Sequence, residues 1–146
     1  MTVQEKAFDL EDSQNSAWEE KFTASRFSSE SGDHVSAIAL ADDAWELLPE
    51  PRYRCGVSYI TLLRRISARY KASEWRSGVE ISTAAASATP FSTQVPVFLV
   101  KAGIGMFESN NLEGALDSFG KSWRLAKNFG FKGEDPKYLA FYKSGG

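Results

Sequence analysis

The stretch Ala44–Arg52, AWELLPEPR, reads as the last turns of a helix closed by two prolines. Pro49 and Pro51 lack the backbone N–H that a continuing helix needs, and each pushes the residue before it out of the α region, so the chain turns here. Whether that turn is isolated or is a seam between repeated units decides the fold. Upstream, GDHVSAIALADDAWELLP places Gly32 five residues before Ala37, followed by Ala41, Ala44 and Pro49. The same frame recurs in SEWRSGVEISTAAASATP, with Ser73, Gly78, Ala85 and Pro90 at matching offsets, and in NNLEGALDSFGKSWRLA, with Asn110, Ala115, Phe119 and Ser122.

That register resembles the tetratricopeptide repeat, a pair of antiparallel helices of roughly 34 residues, with the prolines as seams. The spacing is 41 from Ala37 to Gly78 and 37 from Gly78 to Ala115, so the units are long and degenerate, and they cover roughly residues 16 to 128. Gly103, twelve residues ahead of Ala115, would let the two helices of the third unit approach closely, with Phe119 filling the gap beside them. The expected fold is all-α: three degenerate tetratricopeptide-like helical hairpins plus a C-terminal capping helix. It forms a single helical-repeat domain over 15–146, after a flexible N-terminus over 1–14.

Capping signals agree with this division. SAWE has the form of a capping box, with Ser16 as N-cap and Glu19 three residues on, opening a helix toward Glu30. Asp33 caps the next helix, and Ser73 is expected to cap the fourth. From Tyr53 to Tyr70 the apolar residues Val57, Ile60, Leu63 and Tyr70 fall at helical spacing, and Leu112, Ala115, Leu116, Phe119, Trp123 and Ala126 form a second stripe. Gly130 is expected as the left-handed residue that ends that helix. In EDPKYLAFYK, Asp135 caps a terminal helix with Pro136 at its first position, and Tyr138, Leu139 and Tyr142 would cover the open end of the array.

Composition bounds the rest. The 146 residues are 42% hydrophobic and 25% charged, enough for a packed core and far from a disordered chain. The N-terminus lacks a basic start followed by an apolar run, and the most apolar segment, VPVFLVKAGIGMF, is broken by Lys101 and falls short of the roughly 20 residues that cross a bilayer. A cytoplasmic protein without membrane association is expected. Cys55 is the only cysteine, which excludes an internal disulfide and a cysteine-based metal cluster.

AWELLPEPR, MFESNNLEGALDSF and EDPKYLAFYK together resemble a family of small bacterial tetratricopeptide-like proteins of about this length that accompany polymorphic secreted toxins as their immunity proteins. The family usually reads Asn-Pro-Phe, then Leu-Arg-Leu-Gly-Gln, before the third unit. Here VPVFLVKAGIG puts Val95 in place of the asparagine and omits the arginine and glutamine. The resemblance implies a cognate toxin as partner, one that differs from the family's usual partner if those polar residues serve recognition.

Charge supplies an argument independent of family. Residues 1–50 hold twelve acidic and three basic side chains, a balance of −9, whereas residues 51–146 hold seven acidic and fourteen basic, a balance of +7. A face built from Glu19, Glu20, Asp42, Asp43 and Glu46 would suit a basic partner such as a nuclease toxin, whose active site is built positive to hold phosphates. The alternative is a solvated acidic surface. Arg52, Arg54, Arg64, Arg65, Arg69, Lys71 and Arg76 face Glu74 alone within their own segment, yet no stacking aromatics are interleaved, so a solvated or internally paired helix face is favoured over direct nucleic-acid binding.

Catalytic chemistry finds no support. His34 is the sole histidine and lies in the first turn of a predicted helix, so Ser-His-Asp and multi-histidine metal constellations are short of partners, and GIG at 103–105 lacks the third glycine and the preceding strand of a dinucleotide fingerprint. No catalytic residue, metal ligand or cofactor is expected. Of Trp18, Trp45, Trp75 and Trp123, core packing is the default, and Trp18, with no preceding repeat to cover it, is the candidate interface anchor. Two functions follow. One is an immunity protein that occludes its toxin's active site. The other is a tetratricopeptide-type adaptor or secretion chaperone that holds a peptide in a concave groove near Tyr59, Arg65 and Lys101.

Overall fold

The helix before the two prolines ends at Glu46, with Leu47 as its C-cap, and the chain turns through Pro49 and Pro51 into a short 3-10 turn, Arg52–Arg54. In the computed structural model, which describes residues 6–146, the order is α1 (Asp12–Glu30), α2 (His34–Glu46), α3 (Ser58–Lys71), α4 (Trp75–Ala88), α5 (Val95–Glu108), α6 (Leu112–Ala126) and α7 (Pro136–Lys143). Among the described residues there is no strand beyond one isolated bridge between Phe8 and Cys55. The chain divides into two compact units, one up to Glu74 and one from Trp75 to Gly146, so α3 and α4 of the expected second hairpin fall in different units.

The repeat frame has a clear physical meaning. Gly32, Ser73 and Asn110 all take positive φ, at 84°, 59° and 68°. Each is the left-handed residue that closes the helix before it. The N–H groups of Asp33, Glu74 and Asn111 return to the carbonyls of Ser28, Arg69 and Met106, which satisfies acceptors that the helix ends leave open. Ser73 therefore closes α3 and does not cap α4. The later positions of the frame are core: Ala37, Ala41 and Ala44 on α2, Gly78, Ser82 and Ala85 on α4, and Ala115, Phe119 and Ser122 on α6 are all buried.

In the first unit α1 packs on both α2 and α3. Ser25 Oγ donates to the Ala37 carbonyl at 2.7 Å and the Trp18 indole N–H donates to Thr61 Oγ1 at 2.8 Å, so both crossings are fixed by buried hydrogen bonds. α1 starts four residues before the expected Ser16 cap. Glu11 occupies the N-cap, and its N–H donates to Gln14 Oε1 at 3.0 Å, so EDSQ supplies the reciprocal cap that was expected of SAWE. The flexible N-terminus expected over 1–14 lies outside the described residues for its first five positions. Over the rest, Phe8 N–H donates to the Arg54 carbonyl and Gly56 N–H to the Phe8 carbonyl, which ties the chain to the turn before α3.

On α3 the buried set is Ser58, Thr61, Leu62, Arg64, Ile66, Ala68 and Arg69, and Ile60 is 42% exposed. The apolar stripe through Val57, Ile60, Leu63 and Tyr70 is thus out of phase with the buried face. Polar side chains on the core side find buried partners: Thr61 accepts from Trp18, and Arg64 Nη2 donates to Ser29 Oγ at 2.9 Å, although the buried Arg64 Nε has no partner among the described residues.

In the second unit α5 packs between α4 and α6. A Cβ built on Gly103 would run into the ring of Phe119, which is fully buried, so close approach is enforced as expected. Ser118 and Ser122 donate to the Leu99 and Pro96 carbonyls across the same crossing. Leu112, expected in the α6 stripe, is 43% exposed. Gly130 is not the left-handed cap of α6; it lies in a 3-10 turn, Phe129–Phe131, where a Cβ would meet the Pro96 carbonyl and Ser122 Oγ. Lys127, with φ 53° and ψ −125°, takes the unusual conformation after α6 instead. Asp135 caps α7 through the Lys137 N–H at 2.9 Å, and Tyr138 and Phe141 lie edge-on to Phe107, which covers α5 and α6.

Candidate protein-binding surfaces

The nine residues expected to bind a partner separate by burial and by pairing. Trp18 is only 7% exposed, pinned to Thr61 and tilted against Phe22 at 4.9 Å, so it is a core residue and not an interface anchor. The reason is local: α3 supplies the cover that no preceding repeat provides. Asp42 and Glu46 are engaged within the unit. Asp42 accepts from Arg65 Nε at 2.9 Å and from Arg69 Nη2 at 2.7 Å, and Glu46 pairs with Arg52 at 3.0 Å. Burial pushes the Asp42 carboxyl up, but hydrogen bonds from Arg69 and Arg65, reinforced by their charges, outweigh it and hold the pKa below the ordinary carboxylate range.

Arg65, with its guanidinium also 5.5 Å from the Trp45 ring centroid, is therefore committed within the core rim, and Lys101 in the second unit is bound to Glu134 at 2.6 Å. Tyr59 is half-buried on α3. Two of the three residues expected to line a peptide groove already have carboxylate partners.

Glu19, Glu20 and Asp43 remain exposed, without an ion pair within 4 Å among the described residues. At about 100° per residue, Glu20 and Phe27 fall within about 20° of each other on α1, with Thr23 and Ala24 between them and Trp18 on the opposite side. Phe27 is 70% exposed. An open depression of about 690 Å³ is bordered by Ser16, Glu19, Glu20, Thr23, Ala24 and Phe27. Sequence reasoning missed Phe27, although a helical wheel centred on Trp18 exposes it: the residue nine positions on points the other way.

The contrast in charge between the two ends of the sequence shrinks once the chain folds. α3 belongs with α1 and α2, so the first unit carries thirteen acidic and nine basic side chains, a balance of −4, and the second six acidic and eight basic, a balance of +2. Arg64 is buried, its pKa lowered by that burial and then by the charge of Arg26. The basic run is thus largely a packed and paired helix face. Cys55 is 1% exposed and burial pushes its thiol up, which disfavours the reactive thiolate. Among the described residues no group of three or more His, Cys, Asp or Glu side chains could hold a metal ion, and no helix is long and apolar enough to cross a membrane.

No protein-family model matches the chain, and no curated protein matches it. Among solved structures, the N-terminal domain of stress-induced protein-1 (STI-1) from C. elegans is similar, with a TM-score of 0.67 and 14% identity over 92% of this chain and 98% of that one. At that identity the likeness is one of fold, and together with the helix order and the repeated buried positions it makes this chain an all-α, tetratricopeptide-like protein.

Proposed function

We propose that the protein acts by binding another protein, without turnover or cofactor, and that its partner is a secreted bacterial toxin whose active site it occludes in the cytoplasm. The observation that carries this reading is the exposed stripe on α1, where the carboxylates of Glu19 and Glu20 border the same depression as a 70% exposed Phe27. An exposed aromatic residue in a depression bordered by carboxylates suits a docking surface, with the charges steering the encounter and the aromatic residue anchoring it. A nuclease fits as the toxin, since a groove built to hold phosphates is basic. The sequence resemblance to toxin-associated immunity proteins supports the same partner.

The fold likeness also favours a wider reading, an adaptor or secretion chaperone that holds a peptide. The two separate in one experiment. The toxin domain encoded beside this gene is expressed with the protein over a range of ratios, and survival is scored. Occlusion by mass action predicts protection only near equimolar expression, and its loss in Glu19→Lys/Glu20→Lys/Phe27→Asp. No toxin gene at that position, or protection by trace amounts, would sink the immunity reading.

A further inference from the structure

One buried charge in the first unit lacks a counter-charge, and it does not depend on the toxin reading. Arg64 keeps only 8% of its surface in water, and its Nη2 donates to Ser29 Oγ at 2.9 Å, a neutral acceptor. Its Nε is sealed from solvent without a partner, and no carboxylate pairs with the guanidinium among the described residues. The arginines that follow on the same helix differ, since Arg65 and Arg69 both bond Asp42. A guanidinium out of water with one neutral acceptor carries the desolvation cost of both its charge and its idle N–H, so the arrangement calls for an acceptor-rich, negatively charged companion.

α1 faces this guanidinium with donors. The Ser29 hydroxyl, 5% exposed, accepts from Arg64 and keeps its own proton to give. Arg26, one turn earlier on α1, lies near enough for its charge to act on Arg64, as does that of Glu30. The Arg26–Glu30 pair is loose, at 3.9 Å with both side chains 65% exposed, so Arg26 is held weakly. Two cations against one anion leave the seam between α1 and α3 at +1.

We infer that this seam binds a phosphate group, free or as a monoester, between Arg64 on α3 and Ser29 and Arg26 on α1. The donors come from two helices and not from one planar fork, which suits a tetrahedral oxyanion better than a carboxylate, whose acceptor sites lie in one plane. A nucleic-acid backbone would need a row of cations along the seam, and one of the two here is already shared with Glu30.

The test follows the thermal melt of the full chain as chloride is exchanged for inorganic phosphate at constant ionic strength and pH, with phosphorus NMR spectra of the same samples. A ligand of the folded state raises the melting temperature with its concentration, so the parent's melt should climb saturably and the phosphate line should broaden. Arg64→Met removes a stranded charge, so it should melt in chloride at or above the parent and lose the saturable response. Any general stabilisation by phosphate acts on both proteins and cancels between them. Arg64→Lys keeps the charge without the fork and should bind at least about tenfold more weakly. Should Arg64→Met fail to fold, Arg26→Ala takes its place, with an unchanged melt in chloride and severalfold weaker phosphate binding. Phosphoserine separates the sources: binding tighter than inorganic phosphate assigns a monoester, weaker binding the free ion. Three results would overturn the inference: no saturable response in the parent, a response that Arg64→Met or its substitute retains in full, or an equal response to acetate.

Discussion

Asp42 and Asp43 are adjacent and chemically identical, and the structure predicts opposite consequences for removing them. Asp42 joins α2 to α3 by accepting from both Arg65 and Arg69, the latter with only 9% of its side chain exposed. Removing one partner from a fully buried pair costs about 3–5 kcal/mol, chiefly because it strands the other charge. Asp42 keeps 35% of its side chain in water, so solvent screens the stranded arginines and the figure falls to about 2 kcal/mol for Asp42→Ala. For a chain of this size that corresponds to about 4–8 °C in melting temperature. Asp43→Ala, at an exposed position without an ion pair, should stay within about 0.5 kcal/mol of the parent. Asp42→Asn adds a pH signature. The folded carboxyl lies below its unfolded value of about 3.9, so its contribution is present above about pH 4 and is lost as pH falls through the lower folded pKa. The gap in melting temperature between parent and Asp42→Asn should therefore hold from pH 8 to 5 and close below about pH 4. Paired melts of the two alanine variants across pH decide the matter: if Asp42→Ala melts with Asp43→Ala, the α2–α3 ion pairs contribute nothing.

Ala115→Glu should cost more than 3 kcal/mol, since it drives a carboxylate into a fully buried helix crossing; circular dichroism melts would show it. Gly103→Ala, normally favourable in a helix, should lose about 1–2 kcal/mol, because the new methyl meets a buried Phe119 ring that has no room to move, and a neutral result would refute the close crossing. Ser73→Gly should gain about 0.5–1 kcal/mol by relieving positive φ, while Gly32→Ala should lose a similar amount; urea titrations of the pair test the closing role of that repeat position. Trp18→Phe should cost about 1 kcal/mol through the lost donor to Thr61.

The repeat was legible because its signal is steric. Small residues at Ala37, Gly78 and Ala115 and the chain reversals at Gly32, Ser73 and Asn110 recur wherever a helix must stop and its successor must pack closely, and both demands are written in residue size and backbone freedom. The capping roles at Asp33 and Asp135 were legible for the same reason. What failed was whatever depended on a distant neighbour. Polar Thr61 and Arg64 on the core side of α3 bond to Trp18 and Ser29, more than 30 positions away, and no periodicity count registers such a partner. Asp42 looked like surface because the arginines that claim it lie on another helix. Phe27 was overlooked because apolar residues were assigned inward by default.

That failure also redefines which charges matter for function. A carboxylate and a guanidinium about 3 Å apart act together as a short dipole, whose field fades well inside the roughly 10 Å screening length at 0.1 M salt, so net charge along the sequence overstates what a partner feels. The charges that steer an encounter are those left after internal pairing. On α1 these are Glu19 and Glu20, which border the same depression as the exposed Phe27. A repeat scaffold that consumes its opposite charges inside each unit leaves the remainder where they can act at range, so a formal charge of only −2 understates the local field around such a remainder.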